Sequence, residues 1–143
     1  MISRILVGLQ FFFIFLMILP LDAQTQHPYV GIFITLVGLV IGLLGIYEHK
    51  SGNFNIRPAI KENCELVTTG IYAYIRHPMY LSVLVGMFGI VVIYFTYYEL
   101  ALYILLFVTM FIKMFYEESL WKCHSPAYIE YMKKTKRFLP FIF

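Results

Sequence analysis

Residues 64–80 read CELVTTGIYAYIRHPMY and run directly into LSVLVGMFGIVVIYFTYY at 81–98. The second stretch is apolar over the length a membrane helix needs, about 20 residues for a hydrocarbon core of about 30 Å. Inside lipid each backbone amide must find a partner in its own segment, so such a run folds as a helix. The first stretch crowds Arg76, His77, Pro78 and Tyr80 against the start of that helix. A connector between two membrane helices needs a turn and some solvated residues, but not this density of hydrogen-bonding groups. The helix edge therefore reads as a binding edge.

The rest of the chain has the same character. Of its 143 residues 61% are hydrophobic and 13% charged, and the mean hydropathy is +0.78, outside ordinary soluble usage. The expected fold class is all-α, an integral membrane helical bundle with about four transmembrane helices, forming a single domain over 1–143. The spans are placed at 2–21, 29–47, 79–98 and 100–113, the last continuing in helical register towards Glu118. Arg4 ahead of an apolar stretch and Ala23 after it also fit a secretory signal. The apolar run over 5–19 is long for a signal's core, and a retained helix is expected.

Charge sets the orientation, since loops rich in Lys and Arg stay cytoplasmic. Arg4 opens the chain. Lys50, Arg57, Lys61 and Arg76 lie between the second and third spans, and Lys113, Lys122, Lys133, Lys134, Lys136 and Arg137 end the chain. The 22–28 loop and the 96–99 turn carry no Lys or Arg. Four spans put both termini and the 48–77 loop on one face, the cytoplasmic one. Cys64 and Cys123 then sit on the reducing side without metal or redox spacing, and read as free thiols. The net charge of +3 is modest, and the basic tail 133–137 suits anionic headgroups. No nucleic acid and no metal is expected.

Gly31, Gly38, Gly42 and Gly45 fall near one face of the second helix, with Gly86 and Gly89 on the third. Small residues let backbones approach closely, so this face serves packing inside the bundle or a homodimer contact. The short 96–99 turn makes helices three and four an antiparallel hairpin. That geometry carries Glu117 and Glu118 back to the depth of Arg76 and His77. Singly, each residue has a plain reading: Arg76 and Lys113 snorkel, His77 and Pro78 start a helix, Tyr72, Tyr74 and Tyr80 form an interfacial belt, and the glutamates are solvated.

Together, their order resembles the isoprenylcysteine carboxyl methyltransferases and their phospholipid methyltransferase relatives. The likeness covers roughly 53–143. Its parts are LVTTGIYAYIRHPMY at 66–80, the pair Glu117–Glu118, and AYIEYMKKTKRFLPF at 127–141. The first part is the most specific, and the order of all three strengthens it. The resemblance implies a membrane enzyme that moves the methyl of S-adenosyl-L-methionine onto a lipophilic or lipidated, membrane-borne acceptor. It also implies that the cytoplasmic loop and C-terminal tail form the cofactor site. The implied cofactor-binding residues are Cys64, Glu65, Leu66, Val67, Tyr72, His77, Pro78, Met79, Tyr80, Glu117 and Glu118.

Their chemistry suits that cofactor: His77 and nearby backbone amides can donate to its carboxylate, Tyr72 and Tyr80 can flank it, and a glutamate can accept from its ammonium. Glu117 is favoured over Glu118 for that last role. Arg76 and Lys113 are the catalytic candidates. Lys113 stands one helical turn before Glu117, where the family's carboxyl methyltransferases carry an Arg that addresses the substrate. Lys keeps the charge and loses the fork that suits a carboxylate. Cys64 stands where the family often has His. The acceptor class stays open among carboxylates, amines and other lipid nucleophiles. Two other readings remain: an NADPH-dependent membrane reductase of the sterol reductase type, which carries a similar Pro-x-Tyr motif, and a non-enzymatic lipid-binding scaffold. The tail 125–143 is a candidate lid.

Overall fold

The computed structural model describes residues 1–19, 24–48 and 66–138. The described residues form five α-helices: α1 Ile2–Ile18, α2 Pro28–Tyr47, α3 Pro78–Ile93, α4 Tyr97–His124 and α5 Pro126–Lys134, with a 3-10 turn at Gly70–Ala73 before α3. Among the described residues there is no strand, only one isolated parallel bridge between Ile75 and Lys136. Three of the helices begin on a proline, whose fixed φ and missing amide suit the first helical position. Thr96 caps α4 by accepting from the Glu99 amide at 3.0 Å. The expected hairpin of α3 and α4 therefore forms, with a turn of only Tyr94 to Thr96.

The four apolar segments are helices in the expected order, and their lengths differ from expectation. Pro28–Tyr47 and Tyr97–His124 are long and apolar enough to cross a membrane, whereas Ile2–Ile18 and Pro78–Ile93 are shorter apolar helices. At 1.5 Å per residue, α1 and α3 reach about 24–26 Å, against about 42 Å for α4. The aromatic end of the third segment belongs to the turn and to α4: α3 stops at Ile93, and Tyr97 and Tyr98 open the next helix. The last apolar segment continues in helical register past Lys113, as expected, and on beyond Glu118 to His124. A fifth helix, α5, lies in the tail where no element was expected.

Packing follows residue size. α2 lies along α3, and its glycines are the contact. A Cβ added at Gly38 would stand 2.5 Å from the Gly86 amide nitrogen and 2.9 Å from the Ser82 carbonyl. One at Gly42 would meet Ser82 Oγ at 2.6 Å. The glycine face that offered a homodimer surface is thus occupied by α3. The outer face of α2 exposes Phe33, Leu36, Val40, Leu43 and Leu44, an apolar surface of the kind lipid covers. α1 packs on α4. The core gathers Met17, Leu84, Met87, Val91, Leu102, Leu106, Met110 and Met114. Phe138 from the tail joins it, which seats the C-terminal segment against the bundle.

Candidate active site

The tail and the start of α3 are joined backbone to backbone. The Arg76 amide donates to the Lys136 carbonyl at 2.7 Å, the His77 amide to the Arg137 carbonyl at 3.1 Å, and the Lys136 amide to the Tyr74 carbonyl at 3.1 Å. Upstream, Gly70 has φ +56°, and a Cβ there would collide with the Glu48 side chain. Thr69 Oγ1 donates to Glu48 Oε2 at 2.7 Å. Glycine lets the chain turn left-handed against the end of α2. It thereby sets the 3-10 turn and Tyr72 beside the α3 N-terminus.

Glu118, 1% exposed, stands at the centre of a charged cluster. Its Oε1 accepts from Arg76 Nε at 3.0 Å, its Oε2 from Arg137 Nη2 at 3.2 Å, and His77 Nε2 lies 3.2 Å from Oε1. Arg76 continues to the tail, donating through Nη1 to the carbonyls of Met132 and Thr135. One buried carboxylate thus ties α4 to α3 and to the segment after α5. Charge-assisted bonds of this kind are among the strongest the chain can make.

Glu117, one residue earlier and half-buried, takes a different partner: the Tyr80 hydroxyl donates to Oε2. The Tyr80 ring stacks on His77 with centroids 5.3 Å apart and planes 5° apart. Its other neighbour is Lys113, whose Nζ lies 5.1 Å from the ring centroid. Lys113 is 1% exposed and donates to Gln10 Oε1 at 2.6 Å. A polar path therefore runs from the middle of α1 through Lys113 and Tyr80 to Glu117.

Tyrosines from two elements wall this region. The Tyr131 hydroxyl donates to the Tyr72 carbonyl at 2.6 Å, and Trp121 stacks on Tyr128 at 5.7 Å. Burial pushes the Tyr72, Tyr128 and Tyr131 hydroxyls above the usual phenol range, and the Glu117 charge adds to the rise at Tyr72. All three are protonated donors at neutral pH.

Of the expected site residues, Arg76, His77, Tyr80, Glu117 and Glu118 come together directly, and Lys113 joins through the Tyr80 ring. Tyr72 is buried beside them, where burial first and the Glu117 charge second push its hydroxyl upward. Pro78 is buried as the first residue of α3, and Met79 packs at Gly45 of α2. Leu66 and Val67 are half-buried in the segment before the 3-10 turn. Cys64 and Glu65 lie outside the described residues. Two expectations shift. The amides of Arg76 and His77 are taken by tail carbonyls, so they are not donors for a ligand in this structure. Arg76 itself is spent on Glu118 and the tail. Sequence reasoning passed over Gln10, whose lone amide in an apolar run was the available signal. It read Arg137 as part of the basic tail that suits headgroups, and missed its link to Glu118, 19 residues away.

The site offers a carboxylate whose one partner among the described residues is a hydroxyl, with aromatic side chains beside it, groups that could hold a cationic ligand. A helical bundle with two helices long and apolar enough to cross a membrane fits a membrane protein. The chain belongs to the phospholipid methyltransferase family, whose model matches residues 26–123. That is the group of membrane methyltransferases to which the 66–80 motif pointed. The match leaves out α1, with Gln10, and α5. Among curated proteins, no match was found.

Proposed function

We propose that the chain is an S-adenosyl-L-methionine-dependent methyltransferase acting on a lipophilic, membrane-borne acceptor at the cytoplasmic face. The observation that carries this reading is the division of labour between adjacent glutamates. Glu118 is consumed by Arg76, His77 and Arg137, whereas Glu117 meets, among the described residues, a single tyrosine hydroxyl. Glu117 is thereby the carboxylate with capacity left for the cofactor's ammonium. Tyr72, Tyr80 and His77 supply aromatic surface beside it. Bound there, the cofactor supplies an electrophilic methyl. The protein's task is then to orient the acceptor and exclude water. Lys113, the cation nearest Glu117 on α4, is assigned to orient the acceptor's polar end. Arg76 acts indirectly, by holding Glu118.

The reading takes all four apolar helices as spans with both termini cytoplasmic. Its support is that α3 lies along α2 and is joined to α4 by three residues, so it shares the depth of both longer helices. The basic residues also gather at the α3 start and in the tail. The test is transfer of labelled methyl from S-adenosyl-L-methionine to extracted membrane lipids by the purified chain, with identification of the labelled species. Transfer that is lost in Glu117→Gln and His77→Ala, in folded protein, is the expected result. Binding of NADPH without S-adenosyl-L-methionine would refute the proposal in favour of a reductase.

A further inference from the structure

Lys113 and Glu117 are four residues apart on α4, a spacing that makes their side chains neighbours. Opposite charges attract far more strongly in a protein interior than in water. An ion pair between a lysine that is 1% exposed and a half-buried glutamate is the default outcome. It does not form: no contact between them lies within ion-pair distance, and each has another partner. Lys113 Nζ instead donates to Gln10 Oε1 at 2.6 Å. Tyr80 stands beside both, giving its ring face to the ammonium and its hydroxyl to the carboxylate.

Gln10 is itself 6% exposed within the apolar run of α1 that follows Arg4, where an amide costs stability unless it is bonded. We propose that Gln10 is a positioning residue: by accepting from Lys113 Nζ it holds that ammonium off Glu117 and keeps the Glu117 carboxylate open to a ligand ammonium. The inference rests on the reading of Glu117 as the cofactor's partner. A leucine at position 10 would remove the one hydrogen-bond acceptor that Lys113 has among the described residues. The ammonium would then swing to Glu117 and compete there with the cofactor.

The test is calorimetric titration of the detergent-solubilised full chain with S-adenosyl-L-methionine. The variants are Gln10→Leu, Gln10→Glu, Lys113→Met and the double variant Gln10→Leu/Lys113→Met. Gln10→Leu is expected to weaken binding about tenfold, the size of losing one charge-assisted hydrogen bond. Gln10→Glu, which keeps an oxygen within reach of Lys113, should stay within about twofold of wild type. In the Lys113→Met background Gln10→Leu should have no further effect, because a residue acting through another is not additive with it. Should Gln10→Leu not fold, Gln10→Asn, shorter by one methylene, carries the same expectation. A Gln10→Leu protein with a lowered thermal midpoint but unchanged affinity overturns the inference and leaves a merely structural amide. So does an equal loss in the Lys113→Met background. Wild-type protein that binds no S-adenosyl-L-methionine overturns the reading of the site, and the inference with it.

Discussion

Replacing Glu118 with Gln keeps the side chain's volume and one acceptor oxygen while removing the charge that Arg76 and Arg137 share and that His77 adjoins. The Arg76 side chain is 6% exposed and has no other carboxylate among its partners. Arg137, at 25%, can rehydrate, so the penalty falls mainly on Arg76. Leaving one member of a buried ion pair unmatched costs about 3–5 kcal/mol. At roughly 2–4 °C per kcal/mol for a chain of this size, the thermal midpoint should fall by about 10 °C. Glu117→Gln loses only the bond from Tyr80, about 1 kcal/mol, and should move the midpoint by a few degrees at most. The protein offers its own probe: the single tryptophan, Trp121, stacks on Tyr128 of α5, and α5 leads into the segment that Glu118 holds. Tryptophan emission on heating in detergent should therefore report early detachment of α5 in Glu118→Gln. Ligand binding should show the opposite order, with Glu117→Gln the more damaged. Equal midpoints for the two variants would refute the assignment of Glu118 as the tail's anchor.

Two further outcomes follow from packing and burial. Gly38→Ala should lower the thermal midpoint, because its Cβ would press on the Gly86 backbone, whereas Gly8→Ala, with open space around it, should be neutral or stabilising by up to about 1 kcal/mol; paired melting curves decide. Glu99 is 1% exposed, and its carboxylate has no partner among the described residues, so Glu99→Gln should raise the midpoint by relieving an unpaired buried charge; a fall in the same measurement would mean that the carboxylate is stabilised by the α4 N-terminus it sits on.

The fold class, the order of four apolar helices and the α3–α4 hairpin were legible because each is a local property: hydrophobic run length, proline at a helix start, a capping Thr96. The glycine face of α2 was legible as a contact surface, and only the tertiary arrangement chose α3 over a second copy as its partner. Helix ends were misjudged where aromatic residues continue across a turn. Tyr97 and Tyr98 are as apolar as the residues before them, and it is the break at 94–96 that assigns them to α4. The tail helix was missed because 126–134 is short and polar, and its stability comes from Tyr128 and Tyr131 buried against the bundle.

The 66–80 motif and the glutamate pair were visible as candidates from residue type and spacing alone, and with them the family. Sequence favoured Glu117 over Glu118 but could not show what separates them, since neighbours on a helix differ by only 100° of rotation. That rotation turns one carboxylate into Arg76, His77 and Arg137 and leaves the other to Tyr80. The partners come from segments 19 to 42 residues away, so only the folded bundle assigns them. The same holds for Gln10 and Lys113, which are 103 residues apart and meet because α1 packs on α4.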